Sequence, residues 1–234
     1  MFTSGSMGTP KGAIEDYRYL VRSIMVKLWN GDYQPDERLL QASTFTYAAP
    51  HTHMFNALVT GASMYYHDLK EDGLAVLADI LREKEITVYH TTPTVFRSFL
   101  GTLRPDDVFP GVNKFRAGGE KRLPSDIQAI KRVFPNVKEL SLGYASTETQ
   151  VAASFVYRLD SLPKEGMMPS GKPLRDVEIH IRDENGNDLP AGEEGEIVVG
   201  GDSLARGYIN NPELTQKHFI QDPTRPGYQY FRSG

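Results

Sequence analysis

The sequence predicts an α/β protein in two parts: a mostly parallel sheet with helices on both faces over residues 1–153, then a small antiparallel β subdomain, of half-barrel type, over 154–234. From residue 13 to 142, segments with helical apolar spacing alternate with short β-branched runs, the pattern of a parallel sheet covered by helices. From Val151 onward the apolar period shortens to that of strands, and no long helix is expected after Phe134. Asp183-Glu-Asn-Gly-Asn187 supplies a hairpin turn within this second part.

The first helix is expected over 13–29, with Ile14, Tyr17, Leu20, Val21, Ile24, Met25 and Leu28 as its apolar face. It would open directly from the stretch at 3–12 and place partial positive charge beside it. Residues 38–44 read as a strand, 51–61 as a helix with Met54, Phe55, Leu58 and Val59 on one side, and 63–67 as a strand. The helical period returns at 73–85 through Leu74, Leu77, Ile80 and Leu81. A β-branched strand follows at 86–90, closed by Thr-Thr-Pro. A helix at 93–103, a strand at 113–117, a helix at 124–134 and a strand at 137–142 complete the alternation. In the second part, 151–158, 177–183 and 196–200 alternate as strands, with a helical turn at 212–219.

Composition excludes several classes of function. At 234 residues with net charge −4, the chain has no basic stripe or basic amphipathic helix, which argues against a nucleic-acid or membrane-surface protein. It has no cysteine, so neither a disulfide framework nor a thiolate site is available. No apolar run is long enough to span a bilayer and no signal peptide opens the chain, so the default expectation is cytoplasmic. Both ends read as cut, since only Met1 and Phe2 precede the first motif and nothing terminates 231–234.

That first motif is Thr3-Ser-Gly-Ser-Met-Gly-Thr-Pro-Lys-Gly12, whose backbone N–H groups, hydroxyls and ammonium could all face a phosphate chain. Its spacing is not that of a P-loop NTPase, because Lys11 is followed by Gly12. The second motif is Gly143-Tyr-Ala-Ser-Thr-Glu-Thr149, which offers a ring to stack on a purine, a hydroxyl for a phosphate oxygen and a carboxylate for Mg²⁺. The third, Ala117-Gly-Gly-Glu120, permits close backbone approach to a flat base, or is a plain strand-to-helix turn. The fourth pairs Gly195-Glu-Ile-Val-Val-Gly-Gly201 with Leu204-Ala-Arg-Gly-Tyr-Ile-Asn-Asn-Pro212 and reads physically as a hairpin and tight turn. The fifth is Tyr230-Phe-Arg-Ser-Gly234.

In this order, and over nearly the whole chain, the motifs resemble those of the adenylate-forming superfamily of acyl-CoA synthetases, luciferases and nonribosomal peptide synthetase adenylation domains. Ala145 stands where that family usually has glycine, and the fifth motif stops one residue before the family's ribose-binding aspartate. The resemblance implies part of a large N-terminal domain, without the mobile C-terminal domain. It implies that Lys11, Thr147 and Glu148 act on ATP, with Glu148 binding Mg²⁺. Thr3, Ser4, Gly5, Ser6, Gly8 and Thr9 would hold the phosphates, and Gly118, Gly119, Glu120 and Tyr144 the adenosine end. Ala48, Ala49, Thr52, His90, Phe115, Ala117, Gly143, Val151 and Ala152 would line the acid pocket.

In amino-acid-activating members an aspartate holds the substrate ammonium, and Ala48 occupies that position here, so the acid is expected to lack an α-amino group. The implied reaction joins a small carboxylic acid to AMP with release of pyrophosphate, then transfers it to a thiol, that of coenzyme A or of a carrier protein's phosphopantetheine. The implied partners are the acid, coenzyme A or a carrier protein, and the rest of the same enzyme. The competing expectation is an inert nucleotide-binding or protein-interaction module.

Overall fold

The computed structural model describes residues 1–3, 10–29, 33–45, 48–118, 120, 123–158 and 169–234. It opens with β1 (Phe2–Thr3) and β2 (Lys11–Gly12), an antiparallel pair that brackets the glycine-rich stretch. Then come α1 (Tyr17–Trp29), β3 (Arg38–Gln41), α2 (Ala48–Thr60), β4 (Ser63–Tyr66), α3 (Leu77–Glu83), β5 (Val88–Thr91), α4 (Pro93–Leu100), β6 (Lys114–Ala117), α5 (Pro124–Val133) and β7 (Glu139–Ser146). Two further strands, β8 (Gln150–Arg158) and β9 (Lys172–Pro173), complete a seven-stranded sheet in the order β4-β3-β5-β6-β7-β8-β9. The pairs from β4 to β7 are parallel, and the β7–β8 and β8–β9 pairs are antiparallel.

The second sheet has four antiparallel strands, built from β10 (Glu178–Arg182), β11 (Glu196–Gly201), β12 (Phe219–Gln221) and β13 (Gln229–Arg232), with α6 (Pro212–His218) before β12. The parallel α/β sheet followed by a small antiparallel one is the expected class. The expected division at 153 falls within β8, and the change of sheet comes between Pro173 and Glu178.

Local chemistry sets the helix starts. Thr92 caps α4, its Oγ1 accepting from the Val95 N–H at 3.3 Å, and Pro93 takes the first helical position. Asn211 caps α6 through the Leu214 N–H at 3.0 Å, again followed by proline. Before α5, the Asp126 carboxylate reaches back to the Leu123 N–H at 2.8 Å.

The chain leaves β3 toward β4 in one direction and returns to run β5, β6 and β7 in the other, so the strand order reverses between β3 and β5. Crossovers of one hand then put helices of the two directions on opposite faces. Helices α3, α4 and α5 cover one face and form the main core with Leu40, Tyr89, Phe115, Leu140 and Leu142. Helices α1 and α2 pack together on the other.

Two expectations about those last helices fail. Helix α1 begins at Tyr17 rather than at residue 13, because residues 12–14 are occupied in strand pairing. The Ile209 N–H donates to the Gly12 carbonyl at 2.8 Å, the Ile14 N–H to Gly207 at 2.9 Å, and the Arg206 N–H to Ile14 at 2.8 Å. Asp16 then starts the helix, accepting from the Tyr19 N–H at 3.0 Å. Strand pairing, not a helix, therefore follows directly after Lys11.

The buried faces also differ from those expected. In α1 the buried residues are Tyr19, Arg22, Ser23 and Val26, while Tyr17 is 85% exposed and Val21 53%. In α2 they are Pro50, His53, Asn56 and Ala57, while Leu58 is 71% exposed and Val59 59%. The reason is the sheet surface beneath. Register aligns Gln41, His90, Arg116 and Ser141 in one row across β3, β5, β6 and β7, and this face asks for polar partners.

Candidate nucleotide and acid site

The turn between β7 and β8 carries Thr147 and Glu148 at the carboxyl end of the sheet, where open α/β sheets bind ligands. Three contacts fix it. The Tyr19 hydroxyl of α1 donates to the Thr147 carbonyl at 2.8 Å, and the Ala205 N–H to the Glu148 carbonyl at 2.9 Å. The Tyr208 hydroxyl donates to Glu148 Oε1 at 2.7 Å, although Glu148 is only 8% exposed. Burial, then the Glu148 charge, pushes the Tyr208 hydroxyl well above its ordinary range, so it stays a donor. The same causes raise Tyr144, and Tyr19 is raised by burial, then by Glu15 and Glu148.

Next to the turn, Gln150 adopts φ +58°, and its side chain is gripped by Arg22 at 3.1 Å and bonds the Tyr19 carbonyl. Arg22 also binds Asp176 through Nε at 2.6 Å and Nη2 at 3.2 Å, and the Val151 carbonyl at 3.1 Å. Its side chain is 5% exposed, so α1, β8 and the link between the two sheets share one buried guanidinium.

Lys11 lies on β2 with its ammonium 5.7 Å from the centre of the Tyr208 ring, within cation–π range. The structure thus brings together Lys11 and Glu148, expected from the sequence, through Tyr208, which the sequence offers only as part of a tight turn, while Thr147 beside Glu148 is tied to Tyr19. The backbone explains the neighbouring glycine, since Gly207 has φ +135° and lies against Thr215. Thr215 Oγ1 accepts from the Tyr208 N–H at 2.9 Å and holds the ring's backbone in place.

Among the described residues no group of three or more His, Asp or Glu could cage a metal. Mg²⁺ needs no such cage: it binds through one or two carboxylates and takes phosphate oxygens and waters for the rest. A single buried carboxylate with one oxygen held by a tyrosine fits that mode.

The other expected residues divide. Gly118 follows β6, its N–H donating to the Thr91 carbonyl at 3.4 Å, with open space where a side chain would stand. Tyr144 lies two residues before the end of β7, half-buried against the second core. The Glu120 carboxylate accepts from the Thr94 N–H at 2.9 Å and its hydroxyl at 2.5 Å, so it serves the first turn of α4. Thr3 lies on β1; Ser4, Gly5, Ser6, Gly8, Thr9 and Gly119 lie outside the described residues.

Ala48, Ala49 and Thr52 occupy the first turns of α2 beside the strand-order reversal, and that first turn carries no acidic residue. His90 lies on the same side, its ring centre 4.1 Å from that of His53, whose Nδ1 is hydrogen-bonded with the Tyr33 hydroxyl. Burial, then Lys27 and Arg116, pushes His90 down to about 3. His53 is held well below the usual histidine range by burial, then by His90, Lys27 and Arg116. Both rings are neutral at pH 7.

Phe115 and Ala117 face the opposite way, into the main core. Ala152 packs in the second core, and Val151 gives its carbonyl to Arg22. Gly143 lies where a Cβ would stand 2.6 Å from the Ala153 carbonyl, so strand closeness alone requires glycine there.

A family model described as AMP-binding enzyme matches residues 1–209. The whole chain is 34% identical to part of surfactin synthase subunit 2 of Bacillus subtilis and 34% identical to part of tyrocidine synthase 3 of Brevibacillus parabrevis. It spans only 6% and 4% of those proteins. Among solved structures, CmiS6 superposes on the whole chain with TM-score 0.87 at 24% identity, using 56% of its own length. O-succinylbenzoate coenzyme A synthetase of Bacillus subtilis, in complex with AMP, does so with TM-score 0.77 at 21% identity, over 45% of its length. No described helix is long and apolar enough to cross a membrane.

Proposed function

The chain belongs to the AMP-binding enzyme family, and from that premise we propose that it activates a carboxylic acid as its acyl-adenylate. The acid's carboxylate oxygen attacks the α-phosphorus of ATP, the bond to the bridging oxygen breaks, and pyrophosphate leaves with that electron pair. A thiol, of coenzyme A or of a carrier protein's phosphopantetheine, then takes the acyl group. The meeting of Lys11 and Glu148 at Tyr208, with Thr147 next to Glu148 in the same turn, is the observation that supports this reading best.

Each group has a stated task. Lys11 would neutralise charge on the phosphate chain, together with the hydroxyls of Thr3, Ser4, Ser6 and Thr9. The Thr147 hydroxyl would bond a phosphate oxygen, and Glu148 would hold Mg²⁺. Mg²⁺, when bound, supplies neutralisation of phosphate charge. Tyr144, Gly118 and Gly119 would flank adenine. Positioning and charge suffice for this chemistry, and no side-chain nucleophile is needed.

The acid is read as one without an α-amino group: aliphatic, aromatic, keto or hydroxy. The absence of an acidic residue from the first turn of α2, and the positive field of Lys27 and Arg116 on His90, both disfavour an ammonium there.

Two measurements test the reading. Lys11→Ala combined with Glu148→Ala should abolish ATP binding by this chain in calorimetry, and undiminished binding would overturn the site. A longer polypeptide carrying this chain should catalyse acid-dependent ATP–pyrophosphate exchange over a panel of acids. Exchange with α-amino acids alone would overturn the Ala48 argument.

A further inference from the structure

Resting on that reading, we propose that Tyr208 is the positioning residue of the site, orienting Glu148 for a metal–nucleotide complex while its ring face holds the Lys11 ammonium toward the phosphates. The hydroxyl fixes one carboxylate oxygen, Oε1, at 2.7 Å. No described residue donates to Oε2, which leaves that oxygen for a cation. A buried carboxylate held this way keeps one rotamer and one available lone-pair direction, which is what a second hydrogen-bonded shell does for a metal ligand.

The ring does separate work. At 5.7 Å from the ring centre, the Lys11 ammonium is attracted to the aromatic face, and this sets where the charge stands before any phosphate arrives. Tyr208 itself is immobilised: it is 5% exposed, its N–H is bonded to Thr215 at 2.9 Å, and its ring packs edge-on against Phe219 at 5.5 Å. Its residue pairing with Ala13 joins it to the strand that leaves the loop. One side chain from the connection between β11 and α6 thus sets two groups that belong to the first part of the chain.

Tyr208→Phe separates these roles, since it removes the hydroxyl and keeps the ring. The probes are Mn²⁺ with ATP, read by the paramagnetic signal of free Mn²⁺, and metal-free AMP, read by calorimetry, both on the 234-residue chain. Tyr208→Phe should weaken Mn²⁺ binding in the ATP complex about ten-fold and leave the AMP affinity unchanged. Tyr208→Leu should lower ATP affinity further, because Lys11 loses its ring, again sparing AMP.

Mn²⁺ binding by Tyr208→Phe equal to wild type, or equal losses for AMP and Mn²⁺–ATP, would overturn the inference alone. Failure of the wild-type chain to bind Mn²⁺–ATP would overturn it together with the function on which it rests.

Discussion

The two faces of the seven-stranded sheet are built on opposite principles. Against α3, α4 and α5 the sheet presents Leu40, Tyr89, Phe115 and Leu140, and the helices answer with Leu77, Phe96, Phe99 and Ile127, joined by Phe134 just past α5, all buried. Against α1 and α2 it presents Gln41, His90, Arg116 and Ser141, and the helices answer with Arg22, His53 and Asn56. Every strand is shared, so the difference lies only in alternate residues. The first face holds the main apolar core. The second gives up apolar burial to place hydrogen-bonding and charged groups beside the point where the strand order reverses. Within it, buried Gln41 Oε1 and Asn56 Oδ1 find no partner among the described residues, a burden an apolar core would not carry.

The contrast can be broken most strongly at Phe134. Its ring is fully buried, meets Tyr89 edge-on and stacks or tilts against Phe96, Phe109 and Phe115. Phe134→Ala should cost about 3–5 kcal/mol in urea unfolding, the usual penalty for emptying a buried aromatic site. A loss under about 1 kcal/mol would mean that this face is not the main source of stability.

The polar face should instead show itself through pH. His53 and His90 are held neutral when folded, with His90 pushed down to about 3, whereas an unfolded histidine protonates near its ordinary value of 6.5. Below that value the unfolded chain binds more protons, so their contribution is complete above pH 6.5 and is lost as pH falls toward 3. Urea midpoints should fall from pH 7 to pH 5. The fall should shrink in His90→Gln and persist in Phe134→Ala; an unchanged slope in His90→Gln would remove the histidine from the explanation.

The smallest effect belongs to the outward side of the same helices. Leu58→Ser, at a residue 71% exposed, should shift stability by no more than about 0.5 kcal/mol. A larger loss would place Leu58 in a core and undo the assignment of faces.

Much of the architecture was legible because strands and helices alternate with distinct periods, and because proline and capping residues mark the starts of α4 and α6. Apolar periodicity named the wrong faces of α1 and α2 for a physical reason. It locates the greasier side of a helix, and burial follows that side only when the surface beneath is greasy too. The strands did hold the missing signal. A parallel strand buried on both faces is expected to be continuously apolar, yet Tyr89-His90, Phe115-Arg116 and Leu140-Ser141 alternate.

The glycine-rich stretch and the Thr147-Glu148 turn were readable as candidate site elements from residue types together with the family resemblance. Tyr208 was not, because its value depends on a hydroxyl reaching a residue sixty positions earlier in the chain. Nothing in a local window encodes that reach. Arg22 was hidden in the same way, as a charged residue on a helix whose opposite side looked like the core.

The strand that leaves the glycine-rich stretch is matched to residues 205–209 by more than backbone bonds. A Cβ on Gly12 would stand 2.6 Å from Ile209, Asp16 is paired with Arg206 at 2.6 Å, and Lys11 rests on Tyr208. For anyone recombining this sequence with a relative, a single crossover between Asp16 and Ala205 draws these partners from different parents. Replacing an interior block between Ser43 and Gly143 keeps them together, along with Glu148. Interior-block transplants bounded there should tolerate divergent donors that simple half-and-half chimeras reject.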